Sequence, residues 1–198
     1  MSRAAGGGAP RFLLALVVVA LVGPGPTALA SGDPSSVVYA LPYVVASATP
    51  RPDLERAALD LVNQERAAKG LQPLVAHAGL RAAARAHAVE MFAYGFFSHR
   101  SRDGRTVEDR VRGQGLRARL LAENLAHARD VPAAHRALMA SAGHRRNILF
   151  PEFRLAGLAV VDGDLHGVMV VQVFADAVRD QLRVNRTELA AVVPNARH

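Results

Sequence analysis

Apolar residues recur along this chain at two different spacings, and the change from one to the other divides it into elements. Leu54, Ala58, Leu61 and Val62 fall on one face of a 3.6-residue repeat. Asp53 is placed to cap that helix and Gly70 to end it, which predicts a helix over 53–69. Leu80, Ala84, Ala88 and Met91 repeat the pattern, predicting a second helix over 79–94 that stops at Gly95. Between 96 and 116 the chain turns polar and glycine-dotted, with one short amphipathic piece from Val107 to Val111. Asp130 and Pro132 suit the first turn of a third helix running to about Ala140, with Gly143 as its stop. After Pro151 the helical period is lost. Two nearly continuous apolar runs, 155–161 and 168–174, flank the turn-rich 162–167, which reads as a β-hairpin. Runs apolar at every position belong to strands covered on both faces, so helices are expected on each side of a sheet.

The first thirty residues follow another rule. Arg3 and Arg11 come without any acidic residue, 12–22 is an unbroken apolar run, and Gly23-Pro24-Gly25-Pro26 breaks it. Eleven apolar residues are too few for a bilayer span, which takes about twenty. Ala28 and Ala30 supply the small residues that signal peptidase prefers, predicting cleavage after Ala30. The organisation expected is therefore a signal peptide over 1–30, an extended, proline-rich linker over 31–52, one domain over 53–175 and a loosely attached tail over 176–198. No stable membrane span is expected after cleavage, and the destination is secreted, extracellular or periplasmic.

Export changes how composition is read. The chain has no cysteine, so neither disulfides nor thiolate ligands contribute, and packing must supply the stability. Loss of two arginines takes the formal charge from +7 to +5. On an exported protein that charge favours anionic envelope polymers or lipids. The arginines are scattered and aromatics make up 5% of the chain, so no nucleic-acid partner is expected. A Gly-x-Ser-x-Gly elbow, a phosphate-binding glycine loop and a His-Glu-x-x-His helix are all absent.

Four segments, in order, resemble the CAP superfamily of cysteine-rich secretory, antigen 5 and pathogenesis-related proteins, in its bacterial, SCP-like extracellular branch. They are Leu61-Val62-Asn63-Gln64-Glu65-Arg66 leading to Gly70-Leu71-Gln72-Pro73-Leu74; Met91 to His99 with Asp103-Gly104; Ala122-Glu123-Asn124-Leu125; and Ser141-Ala142-Gly143-His144-Arg145-Arg146-Asn147-Ile148-Leu149 followed by Gly157 and Val171-Gln172-Val173-Phe174. The resemblance implies an α/β fold, a three-layer α-β-α sandwich with a small, mainly antiparallel sheet between helices. It also implies that His99, Glu123 and His144 converge in a cleft, with Asn124 holding the glutamate segment. A second cleft glutamate of the eukaryotic relatives is missing, which leaves a triad.

Two imidazoles and a carboxylate suit zinc or another divalent metal, with His99 and His144 as ligands and Glu123 as the candidate catalytic base. The same residues equally suit a hydrogen-bonded network with no metal. The expected partner is an envelope component, whether peptide, glycan or lipid, bound without turnover or with only weak catalysis. A metal-dependent hydrolase of envelope peptides and a purely structural surface protein are the alternatives. Of the other histidines, His87 reads as a core or boundary residue, and His77, His127, His135, His166 and His198 as loop or exposed positions. Arg100, Arg102 and Arg105 read as a solvated loop beside His99.

Overall fold

The structure is a computed structural model that describes residues 37–177 together with the backbone of short strands at 11–14, 28–29 and 179–180. In chain order the elements are β1 (Arg11–Leu14), β2 (Ala28–Leu29), β3 (Val38–Ala40), β4 (Thr49–Pro50), α1 (Pro52–Ala67), β5 (Val75–Ala76), α2 (Ala78–Tyr94), β6 (Phe96–Phe97), α3 (Val107–Gly113), β7 (Leu116–Arg117), β8 (Leu120–Ala128), α4 (Val131–Ala140), α5 (Ala142–Ile148), β9 (Leu155–Asp162), β10 (Val168–Ala175) and β11 (Arg179–Asp180). The predicted signal segment and tail lie outside the described residues, apart from β1, β2, Asp176, Ala177 and β11.

Strand β10 is the centre of the sheet. It pairs antiparallel with β8 on one side and with β9 on the other, eight residues each way. Because neighbouring side chains point to opposite faces, β10 divides its apolar residues between two cores. Met169, Val171 and Val173 join α2, and Val168, Val170 and Phe174 join α1, α4 and α5. This is the three-layer α-β-α sandwich with a mainly antiparallel sheet. Gly157 on β9 lets the first layer close. A Cβ there would lie 2.1 Å from the backbone of Leu80 on α2.

On α1 the inward stripe is Glu55, Ala58, Val62 and Arg66. Its two charged members are satisfied in different ways. Glu55 takes a two-pronged bond from Arg85 of α2, at 2.6 and 2.5 Å. Arg66, with no exposed surface, donates to the carbonyls of Gln72, Ile148, Phe150 and Phe153. Arg66 thereby ties α1 to the carboxyl end of α5, where helix carbonyls lack partners of their own.

Of the stretch read as a linker, the described part is docked from residue 38 onward, with β3 paired to β6 and β4 to β9. Leu41 and Val45 are buried against α2, and their amides donate to Gly95 and Phe92. The tail is also held at its start, where Asp176 accepts from the amide of Leu120 and β11 pairs with β7.

Two elements differ from the sequence reading. Residues 120–128, which carry no apolar–polar alternation, form a strand buried at every position. Gly143 does not end a helix; α4 stops at Ser141, and Gly143 is the second residue of α5.

Candidate functional site

The site forms where β8 meets the ends of both helix layers. Gly95, at a left-handed φ of 65°, ends α2 and turns the chain through β6 to His99. Thr106 and Asp109 form a reciprocal capping box that starts α3 and brings Arg110 inward beside Val111. Glu123 belongs to β8, and His144 sits in the first turn of α5.

His99 Nδ1 lies 2.9 Å from Glu123 Oε1, and the other carboxylate oxygen accepts from Arg110 at 2.5 Å. Arg110 also donates to the His99 carbonyl at 3.1 Å and to the Arg105 carbonyl at 3.2 Å. All three side chains are almost wholly buried. Burial by itself would raise the Glu123 carboxyl. The Arg110 guanidinium, the His99 bond and the positive fields of His87 and His99 outweigh it and bring the group down to about 2.

His144 is fully buried and is not bonded to Glu123. Its Nδ1 lies 2.8 Å from Ser141 Oγ, and its Nε2 has no hydrogen-bond partner. Burial, then the nearby charge of His99, pushes its pKa down to about 4, so the ring is neutral at pH 7.

Asn124 holds the two halves together. Its amide donates to the His144 carbonyl and to Gln172, both at 3.1 Å, and its oxygen accepts from Asn147 at 2.9 Å. That network fastens α5 to β8 and β10.

A divalent ion does not fit this donor set as the sequence suggests. Both oxygens of Glu123 are engaged, one by a guanidinium that would repel a cation, and among the described residues no three His, Asp or Glu side chains are placed to hold a metal ion. The sites expected to form an open cleft are instead covered. An open cavity of about 270 Å³ is lined in part by His87, Glu90, Arg105 and Arg110, which places it beside the arginine that bonds Glu123.

Sequence reasoning missed Arg110, although an arginine between Val107 and Val111 on an apolar face is the signature of a buried charge. His87, read from the sequence as a core or boundary residue, is fully buried. The His87 Nε2–H donates to the Ser98 carbonyl at 2.8 Å, and its Nδ1 faces Glu90 at 3.4 Å. Glu90 is lowered to about 2, chiefly by that histidine, and also accepts from the Arg102 amide. This pair supports the His99 loop from beneath. Two other histidines depart from the loop-or-exposed reading: His127 is buried and bonded to the His166 carbonyl, and His135 faces Glu65 between α4 and α1. His77, in a loop as read, caps α2. His198 lies outside the described residues. In the arginine loop, Arg105 pairs with Asp103 and Arg102 stacks on Tyr94.

Comparison with known proteins gives one consistent result. A family model described as the cysteine-rich secretory protein family matches residues 59–174. The uncharacterized protein YkwD of Bacillus subtilis is 33% identical over 109 residues, 54% of this chain and 42% of YkwD. An extracellular protein containing an SCP domain from Bacillus anthracis is 27% identical with a TM-score of 0.56, over 62% of this chain and 40% of that one. An outer surface protein of Borrelia burgdorferi, 16% identical with a TM-score of 0.55 over 63% of this chain and 92% of its own, shares the fold. The chain thus spans about two fifths of the two Bacillus relatives. Among the described residues no helix is long and apolar enough to cross a membrane.

Proposed function

Because the chain belongs to the cysteine-rich secretory protein family, whose fold hosts more than one activity, we propose that it works outside the cytoplasmic membrane as a binding module. Its ligand, an envelope component, engages the site at His99, Glu123 and His144 along β8 without being turned over. One observation carries this reading: Glu123 is committed. A general base needs a free oxygen and a pKa near the working pH. Glu123 has both oxygens in short bonds and a pKa of about 2. Its chemistry is that of a counterion to Arg110 and an orienter of the His99 ring. His144, neutral and with Nε2 unpartnered, is the group with unspent hydrogen-bonding capacity.

The test uses purified bacterial cell-wall sacculi as the probe. The protein is expected to co-sediment with them, His99→Ala and His144→Ala to release it, and the supernatant to contain no new fragments by mass spectrometry. Fragment release that depends on Glu123 would make the protein a hydrolase and overturn the reading.

A further inference from the structure

The two outer edges of the sheet are closed by different means. The edge of β9 is covered by β4 at Asp162 and Val161 and by β5 at Leu155 and Ala156, both from the body of the domain. The edge of β8 is covered at Leu120, Leu121, Ala122 and Glu123 by β1, in parallel, with Leu14 the register partner of Glu123. Strand β1 belongs to the segment expected to be cut off after Ala30. Cleavage would therefore bare a row of backbone N–H and C=O groups beside the site.

Sheet edges that must stay unpaired are normally blunted by lysine, proline, a bulge or an unpaired inward charge. Here the bared sequence is Leu-Leu-Ala-Glu, and its single charge is already neutralised by Arg110. The edge is thus fit to receive a strand. Its direction says what kind. Two copies of this chain joined edge to edge about a two-fold axis would bring their β8 strands together antiparallel. The strand seated here is parallel, which a separate peptide can supply and a symmetric dimer cannot.

We propose that the mature protein binds an extended peptide segment by strand addition to β8, parallel to it at Leu120–Glu123. Backbone pairing supplies the affinity, and His99, Glu123 and His144 recognise what stands at the position Leu14 fills in this structure. This names the ligand class of the site proposed above and rests on that reading. Main-chain ladders accept many sequences, and pockets for alternate side chains provide the choice. The partner is therefore an extended peptide with apolar residues at the alternate register positions that Phe12 and Leu14 occupy in β1.

The probe is a synthetic peptide of residues 10–17 carrying a short ethylene-glycol tail. The protein is the secreted form, collected from the medium of an expressing bacterium, with its amino terminus read by mass spectrometry. Alternate residues of a strand direct their N–H groups to opposite edges, so two methylated peptides are made, one at the amides of Arg11 and Leu13 and one at those of Phe12 and Leu14. The unmodified peptide is expected to bind and to shift the His99 and His144 imidazole signals while sparing His166. One methylated form should bind like the parent and the other at least about tenfold more weakly. No binding by the parent, equal effects of the two methylations, a secreted chain that retains residues 11–14, or edge-to-edge dimerisation in the ultracentrifuge would each overturn the proposal. Sacculus binding that persists when the peptide fails leaves the binding-module reading intact and removes strand addition alone.

Discussion

Arg110 and Glu123 are joined end to end inside the protein: one guanidinium nitrogen lies 2.5 Å from the carboxylate while another holds the backbone of His99. The pair fixes the loop and the strand that carry two of the three site residues. Arg110→Met should leave a buried carboxylate without its counterion and destabilise the fold by about 3–5 kcal/mol. The double variant Arg110→Met, Glu123→Met should recover part of that loss, because no charge remains buried and unpaired. Urea denaturation of the four proteins checks this. A double variant less stable than Arg110→Met alone would mean that the pair stabilises by more than mutual compensation.

His144 predicts a pH dependence. Its folded pKa, about 4, lies below its ordinary value of 6.5. Above pH 6.5 the ring is neutral whether the chain is folded or not, and the group contributes no pH dependence. Between pH 6.5 and 4 only the unfolded chain takes up the proton, so stability is lost as the pH is lowered through that window, and below about 4 this contribution is flat. The loss is on the order of 2–3 kcal/mol. His144→Gln should flatten that part of the pH–stability curve. His127, also lowered by burial, still titrates in both proteins, so the difference between the curves isolates His144. Curves of equal slope would show that His144 is not held neutral.

Gly157→Ala should be among the most damaging single-methyl changes in the chain. Its Cβ would meet the α2 backbone at 2.1 Å, and neither β9 nor α2 can yield without losing the other. A loss of about 1–3 kcal/mol is expected. Gly113→Ala, where nothing lies within 4 Å, is the control and should leave thermal stability nearly unchanged.

Much of this architecture was readable before the structure. Helices α1, α2 and α4 follow from 3.6-residue periodicity with proline, aspartate and glycine at their ends, and the β9–β10 hairpin from two apolar runs around a turn. Strand β8 was not readable, because Glu123, Asn124 and His127 break its apolar run. Each is buried only because a distant residue pairs with it: Arg110, Asn147 and the His166 carbonyl respectively. Local pattern carries no trace of such partners. Helix α5 was lost for another reason. It is seven residues long, and its glycine at the second position reads locally as a stop. The nomination of His99, Glu123 and His144 came from family resemblance. Their division into a clamped His99–Glu123–Arg110 unit and a separate His144 became visible only in three dimensions.

The most direct test of whether Glu123 holds or catalyses is its own titration, followed by the carboxyl carbon-13 signal of the folded protein from pH 8 downward. A counterion clamped by Arg110 and His99 should remain ionised through pH 4 and begin to protonate only as the pH approaches 2 or the fold gives way. A midpoint between pH 5 and 7 would show a carboxyl poised for proton transfer, and the site would then have to be read as catalytic.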